Sequence, residues 1–190
     1  MVNHNLEQQA QALYNELYGE GRESTLSELI TVKYGKDHKK LSDGSVPVYG
    51  SGGVMRYVDT ALYTMESVLI PRKGTLNNVI YVNQPFWSVD TMFYTVMNRS
   101  NIAKFVYFFV RTKNLASMNA GSAVPSMTTD ILNALPIIIP TDEDLDKFEG
   151  VASVLFKQIQ QNLCENTHLA ELRDTLLPKL MSGELSVTDI

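Results

Sequence analysis

The sequence contains one cysteine, three histidines and no long apolar run, and each shortage excludes a class of protein. Cys164 alone cannot form a disulfide within the chain or a four-cysteine zinc site. His4, His38 and His168 are scattered, and none has a second metal ligand at helical or hairpin spacing, so we expect no metal and no other cofactor. No apolar run reaches the ~20 residues of a membrane span, and MVNHNLEQQ is not a signal peptide. We therefore expect a cytoplasmic protein without membrane contact.

Signatures of nucleotide chemistry and catalysis are missing as well. VPVYGSGGVMRYVD, residues 46–59, is rich in glycine but lacks the Lys and Ser/Thr of a Walker-type phosphate loop. VMRYVD alternates like a strand, where a dinucleotide fingerprint requires a helix, so the glycines predict a tight turn between strands. The sequence contains no NPPY-like or FxGxG-like motif, which would mark a methyltransferase. Asp37-His38-Lys39 matches the DxK end of a nuclease motif, but the Pro-Asp pair that precedes DxK in such a motif is missing. We expect no catalytic residue.

The net charge of −5 hides two unlike regions. Residues 30–115 contain eleven basic and five acidic side chains, which leaves five basic and sixteen acidic side chains for the rest of the chain. A basic body of this kind suits contact with a polyanion, whereas the acidic remainder does not. On charge alone, an ordinary difference between loops and helix surfaces explains the pattern equally well.

The apolar pattern divides the chain into three parts and predicts an α+β fold. Residues 3–18 place apolar side chains on one helical stripe, which GEG ends. Residues 25–140 contain short β-rich runs, interrupted by a helix over IAKFVYFFVRTK and a short one over TTDILNA. A long helix begins after Thr141, which can cap it. The expected architecture is a compact β-rich domain, a long C-terminal coiled-coil helix and a short N-terminal helix of the same repeat type.

The long helix carries a heptad seam that needs a partner. Apolar positions recur in alternating steps of four and three until Pro178 and Gly183 end the pattern, which predicts a helix of ~55 Å. Residues 169–181 repeat the pattern of residues 6–18, as in one unit of a tandem arrangement. The alternative is a helix lying across its own sheet. The predicted interface consists of Leu155, Ile159, Asn162, Asn166, Leu169 and Leu176.

Five motifs in order resemble the specificity subunit of type I restriction-modification systems: VPVYGSGGV, SVLIPRKGTLNNVIYV, PFWSVDTMFYTV, NAGSAVPSMTTDILNALPIIIP and LRDTLLPKLMSGEL. NLEQQAQALYNELY is similar to the helical stretch that precedes the second target-recognition domain of those subunits. The resemblance implies a conserved helix at residues 1–22, a target-recognition domain at 23–140 and a conserved spacer and dimerisation helix at 141–190. With one such domain, the chain resembles a half-length subunit.

The resemblance also implies a function without catalysis. Each target-recognition domain reads one half of a split site in double-stranded DNA, and methyltransferase subunits dock on the assembly, with restriction subunits bound through them. We expect a homodimer or a pairing with another half-subunit. Two alternatives stay open: a coiled-coil adaptor without sequence-specific DNA binding, and a recognition domain with its own nuclease activity.

Three loops hold the candidate DNA contacts. PRKGTLNN is the strongest, because arginine pairs with guanine, asparagine with adenine, and lysine or threonine with phosphate. YGKDHKK supplies lysines for the DNA backbone, and the resemblance places the glycine turn near DNA. Solvated turns and a purely structural glycine turn are the alternatives. The candidate residues are Lys36, Lys39, Lys40, Tyr49, Ser51, Arg72, Lys73, Thr75, Asn77 and Asn78.

Overall fold

The computed structural model describes residues 2–118 and 126–184. These residues form two units, one from the first ten residues together with those after 150, and the other from residues 11–150. Residues 119–125, which belong to the NAGSAVPSM motif, lie outside the described part. The mixture of helices and short strands, with a long helix near the C-terminus, confirms the expected α+β class.

Helices flank a series of short strands in the order of the sequence. The helices are α1 (Val2–Leu17), α2 (Leu26–Leu29), α3 (Ala103–Arg111), α4 (Thr129–Asn133) and α5 (Asp142–Met181). The strands are β1 (Arg22–Thr25), β2 (Ile30–Tyr34), β3 (Asp43–Gly50), β4 (Gly53–Val58), β5 (Ser67–Pro71), β6 (Ile80–Val82), β7 (Trp87–Ser88), β8 (Met92–Met97) and β9 (Pro136–Ile139). A 3-10 helix lies at Leu115–Met118.

Three small sheets organise the strands within the described residues. One has the order β2-β8-β5-β6, a second the order β4-β3-β7, and β1 pairs with β9 alone. All these pairs are antiparallel except β3 with β7. Pairing of β1 with β9 joins residues more than 110 positions apart, since Arg22 lies opposite Ile139. The two ends of the β-rich region therefore close on each other.

Aromatic side chains fill the core of residues 11–150. The sequence pattern of α3 suggests buried aromatics, and Phe105, Phe108 and Phe109 are fully buried. Tyr14 of α1 packs against Phe105 and against Phe148 of α5, with ring centroids 5.5 and 6.4 Å away. A second cluster lies between the sheets around Phe86 and Trp87 and includes Val48, Val58, Leu69, Val82, Val89 and Met92.

The helix α5 begins as the sequence predicts. The Thr141 hydroxyl accepts a hydrogen bond from the Asp144 amide at 3.2 Å and donates to the Asp144 carboxylate at 2.6 Å. The helix continues through Pro178 to Met181, so its end lies three residues beyond the proline. Gly183 follows with φ of +73°, the left-handed conformation that commonly ends helices. No helix of the described residues is long and apolar enough to span a membrane.

Candidate nucleic-acid interface

The glycine-rich stretch forms the tip of a hairpin between β3 and β4. Gly50 pairs with Gly53, which leaves Ser51 and Gly52 as a two-residue turn. Gly53 has φ of +116°, a conformation that side chains other than glycine rarely adopt. The predicted tight turn between strands is therefore confirmed.

The loop after β5 lies directly against this hairpin tip. Asn78 donates from Nδ2 to the backbone carbonyl of Ser51 at 2.8 Å. Gly74 faces the same residue, because a Cβ added to it would lie 2.7 Å from the Ser51 hydroxyl. Gly74 also has φ of +84°, so both its backbone and its surroundings favour glycine. The fold thus brings together two of the three loops that the sequence singles out.

The two asparagines of PRKGTLNN make hydrogen bonds within the protein. Asn77 donates from Nδ2 to Asn114 Oδ1 at 3.3 Å and accepts from the amide of Ala116 at 3.1 Å. Asn78 is engaged with Ser51, as described above. Both amides therefore shape the loop. Their predicted role as DNA contacts stays a prediction, and it requires their free lone pairs or a rearrangement of these bonds.

Arg72 is held at the base of the same loop. Its guanidinium lies 5.3 Å from the ring centroid of Tyr34, and Nη1 donates to the Asp90 carbonyl at 3.3 Å. The Arg72 amide donates to the Thr91 carbonyl at 2.8 Å. Lys73 and Thr75 are exposed. An arginine stacked on an aromatic face keeps further N–H groups for an external acceptor.

Backbone contacts fix the lysine loop and leave its side chains in solvent. The Lys36 carbonyl accepts from the Trp87 indole at 2.9 Å, and the Lys36 amide donates to the Ser88 carbonyl at 2.8 Å. The Lys39 amide donates to the Asp37 carboxylate at 3.0 Å and thereby lowers the pKa of Asp37. The side chains of Lys36, Lys39 and Lys40 are exposed.

A cleft of about 640 Å³ separates the lysine loop from the hairpin tip. Its walls also include the segment between β7 and β8, to which Arg72 is bonded. The lining residues are Asp37, His38, Lys39, Gly50, Ser51, Gly52, Met55, Val89, Asp90 and Thr91. The lining itself contains one lysine, Lys39, and two carboxylates, Asp37 and Asp90. The adjoining loops add Lys36, Lys40, Arg72 and Lys73, so these segments together carry five basic and two acidic side chains. The lysine loop and the hairpin tip therefore line one cleft, and PRKGTLNN adjoins it through hydrogen bonds to Ser51, Asp90 and Thr91. Because the net charge of these segments is positive, we call it the basic cleft.

Tyr49 contributes to the hydrophobic cluster as well as to the hairpin. Its ring lies 6.3 Å from that of Phe86 in an edge-on contact, and the residue is half-buried. Burial raises the pKa of Tyr49, partly offset by a hydrogen bond with Gln84. The structure thus gives Tyr49 a packing role, and its predicted contact with DNA stays a prediction.

Three features of the cleft do not follow from the sequence motifs. Tyr34 supports Arg72, the segment from Val89 to Thr91 forms one wall, and the exposed Met55 forms part of another. No local pattern signals them, because their positions depend on strand pairing across the sheets. Tyr34 lies at the end of β2 opposite Phe93, and only that register places its ring beside Arg72.

The predicted interface positions of α5 differ in exposure. Leu155, Ile159 and Leu176 are half-buried, whereas Asn166 and Leu169 are exposed. Asn162 donates from Nδ2 to Asn3 Oδ1 of α1 at 2.7 Å. The N-terminal helix therefore covers part of the seam within the chain, and apolar side chains farther along α5 are left in solvent.

Comparison with known proteins decides the family. A family model described as the type I restriction modification DNA specificity domain matches residues 20–172. The chain belongs to this family. The matched range contains the nine strands of the described residues and the segments that line the cleft. The family resemblance predicted from the five motifs is therefore confirmed.

Curated relatives of the specificity-domain family are also similar over much of the chain. The type I restriction enzyme MjaIX specificity subunit of Methanocaldococcus jannaschii is 29% identical over 135 residues, covering 68% of this chain and 31% of the relative. The HindI specificity subunit of Haemophilus influenzae is 36% identical over 73 residues, covering 38% of this chain and 16% of the relative. The chain thus spans a third or less of the length of these two relatives.

Solved structures share the fold. The S subunit of a type I restriction-modification system from M. genitalium matches with a TM-score of 0.75 at 19% identity, over 94% of this chain and 55% of that one. The HsdS subunit from Thermoanaerobacter tengcongensis matches with a TM-score of 0.52 at 15% identity, over 96% and 52%. The predicted fold class is therefore confirmed, and the chain spans about half of each of these proteins.

Proposed function

We propose that this chain recognises a specific sequence in double-stranded DNA as part of a type I restriction-modification complex. The observation that carries the proposal is the basic cleft of a DNA specificity domain, which two of the predicted loops line and the third adjoins. Lysines around a cleft attract DNA through its phosphates, and an oriented arginine discriminates between base edges. We propose that residues 23–140 are the target-recognition domain that carries these loops.

The lysines and Arg72 have different roles in this proposal. The side chains of Lys36, Lys39 and Lys40 are exposed, which suits phosphate contacts that carry no sequence information. Arg72 is restrained by Tyr34 and Asp90, which reduces the conformational entropy lost when its guanidinium pairs with a base. Ser51, Lys73 and Thr75 lie on the adjoining loops and complete the proposed DNA-facing surface.

The exposed part of α5 supports a role in assembly. Large apolar side chains are more than 40% exposed at Leu163, Leu169, Leu172 and Leu177. Such a surface on a helix suits pairing with another helix. We propose that residues 141–190 pair with a second copy or another half-subunit, with residues 1–22 contributing, so that two recognition domains read a split site. Methyltransferase subunits, and restriction subunits through them, are the further proposed partners.

In this proposal the chain is a non-catalytic recognition subunit of a larger enzyme complex. The family description names DNA specificity, and the described residues contain no cluster of His, Cys, Asp or Glu that could hold a metal ion. Catalysis therefore falls to the proposed methyltransferase and restriction partners. Because the proposed target is cellular DNA, we also propose that the complex works in the cytoplasm.

Mapping of methylated sites tests the proposal directly. The chain is expressed with the methyltransferase subunit encoded beside it, and modified bases are mapped across a host genome that lacks other methyltransferases. We expect methylation at one split sequence, whose symmetry distinguishes a homodimer from a mixed assembly. Two outcomes would contradict specific recognition: methylation without sequence preference, and no methylation by a complex that does assemble. Either would favour the alternative that the chain is a coiled-coil adaptor without sequence-specific DNA binding. Metal-dependent cutting by the purified chain alone would favour the nuclease.

A further inference from the structure

Met55 is an apolar side chain exposed at the wall of a basic cleft. It is 61% exposed and lines the cleft together with Lys39, Ser51 and Asp90. An isolated exposed methionine is ordinary on a protein surface. Two features of the backbone around Met55 favour its position at the cleft.

The first feature is a β-bulge. Arg56 lies opposite Val48, and the next pair along the hairpin joins Val54 to Tyr49. Met55 is therefore an extra residue without a partner on β3. A bulge of this kind turns a side chain away from the direction that regular alternation would give it. In this hairpin the bulged residue is Met55, and its side chain lies in the wall of the cleft.

The second feature is the glycine opposite the bulge. A Cβ added to Gly50 would lie 2.5 Å from the Met55 sulfur and 3.3 Å from its Cγ. Any side chain at position 50 would therefore displace Met55. Because the sulfur lies near the end of a flexible side chain, it could shift at small cost, and glycine at position 50 leaves room for the orientation that Met55 has here.

We propose that Met55 is a specificity residue that contacts the 5-methyl group of a thymine in the major groove. The inference rests on the proposed DNA-binding function. A two-stranded β-ribbon fits the major groove, and an apolar side chain there favours the thymine methyl group. The hairpin presents Met55, and Lys39, which lines the same cleft, is available for phosphate contact. With the adjoining loops included, five basic side chains stand against Asp37 and Asp90, and this balance selects duplex DNA as the occupant.

The test compares Met55→Ala and Met55→Leu in the full complex with the methyltransferase subunit. Met65→Ala is the matched control, since Met65 is 65% exposed and lines a different pocket. Duplexes are selected from a random pool by each complex. We expect the wild type to prefer thymine at one position of the half-site. In Met55→Ala the ratio of binding with and without this thymine should fall about fourfold. Met55→Leu and Met65→Ala should retain the wild-type ratio. Thermal unfolding confirms that the variants fold alike.

Deoxyuridine provides a second measurement that does not alter the protein. Replacement of the critical thymine by deoxyuridine removes only the methyl group, so wild-type binding should fall about fourfold and that of Met55→Ala should change little. Equal effects in both proteins, an unchanged preference in Met55→Ala, or a uniform loss on all duplexes would overturn the inference. A loss of methyltransferase binding in Met55→Ala would overturn it in favour of a protein contact. Absence of sequence preference in the wild type would instead refute the proposed function.

Discussion

Replacement of Lys104 by methionine should destabilise residues 11–150 by roughly 3–5 kcal/mol, because it leaves a buried carboxylate without its partner. Lys104 on α3 and Glu149 on α5 are buried, and Nζ donates to Glu149 Oε1 at 2.8 Å. Lys104 also contacts Glu66 at 3.1 Å and lies over the ring of Tyr81 at 5.1 Å. The second oxygen of Glu149 accepts no hydrogen bond from the described residues. The ion pair with Lys104 is thus the main interaction that stabilises the buried negative charge of Glu149.

The loss of stability in Lys104→Met should become smaller as the pH falls. Burial raises the pKa of Glu149 above the usual 4.5, and the attraction of Lys104 opposes this rise. Without Lys104 the folded-state pKa rises further, so the folded protein binds a proton more tightly than the unfolded chain. Stability then increases as pH falls from the folded pKa towards 4.5. The deficit of Lys104→Met relative to the wild type should therefore be smaller at pH 5 than at pH 7.

Urea and thermal unfolding at both pH values measure these quantities. A loss of 3–5 kcal/mol corresponds to roughly 6–20 °C in melting temperature for a domain of this size. The double variant Lys104→Met/Glu149→Met removes both charges and should recover most of the stability, because two apolar side chains of similar volume replace the pair. A loss below about 1 kcal/mol in the single variant would refute the buried-charge reasoning. So would a deficit that is independent of pH, or a double variant as unstable as the single one.

Four further changes test the cleft and the helix. Arg72→Ala should cost ~1–3 kcal/mol of specific binding, confined to one position of the half-site in a duplex competition assay; equal loss on all sequences would indicate a phosphate contact. Lys40→Ala should weaken binding to all duplexes equally and reduce the slope of log affinity against log salt concentration by about one. An unchanged slope would contradict the proposed phosphate contact of Lys40. Gly53→Ala should destabilise the protein in urea by ~1–3 kcal/mol because φ is positive, whereas Gly52→Ala, in open space, should cost less. Seven residues inserted after Gln160 should change the spacing between mapped half-sites, and an unchanged spacing would argue against α5 as a spacer.

Local patterns predict most of the secondary structure of this chain. The helical stripe of residues 3–18 predicts α1, and the Thr141 cap with the heptad seam predicts α5, because both signals lie within a few turns of sequence. The glycines at 50 to 53 likewise predict a hairpin. The pairing of β1 with β9 and the parallel contact of β7 with β3 are not predictable in this way. They join distant, short segments whose pairing is determined by packing between the sheets.

The candidate site is predictable in composition but not in geometry. The sequence indicates which loops are basic or glycine-rich, and in the structure two of them line one cleft while the third adjoins it. The sequence makes Asn77 and Asn78 candidate DNA contacts, and the structure adds that their amides hold the loop to Ala116 and Ser51. It also omits Met55, since a bulge exists only relative to a partner strand. The chemical type of a side chain can be read from the sequence, but the direction in which the side chain points depends on contacts with distant parts of the fold.

Backbone hydrogen bonds connect the loops of the cleft, and this has a consequence for specificity. The Lys36 amide donates to Ser88, the Arg72 amide to Thr91 and the Val89 amide to Tyr49, all at 2.8 to 3.0 Å between backbone atoms. Such bonds do not depend on the identity of the exposed side chains. Substitution of a side chain that faces the cleft therefore leaves the framework intact, unlike substitution of Gly50, Gly74 or the amides of Asn77 and Asn78. A change of DNA preference should accordingly be possible at positions 55 and 72, the two proposed base contacts, at little cost in stability.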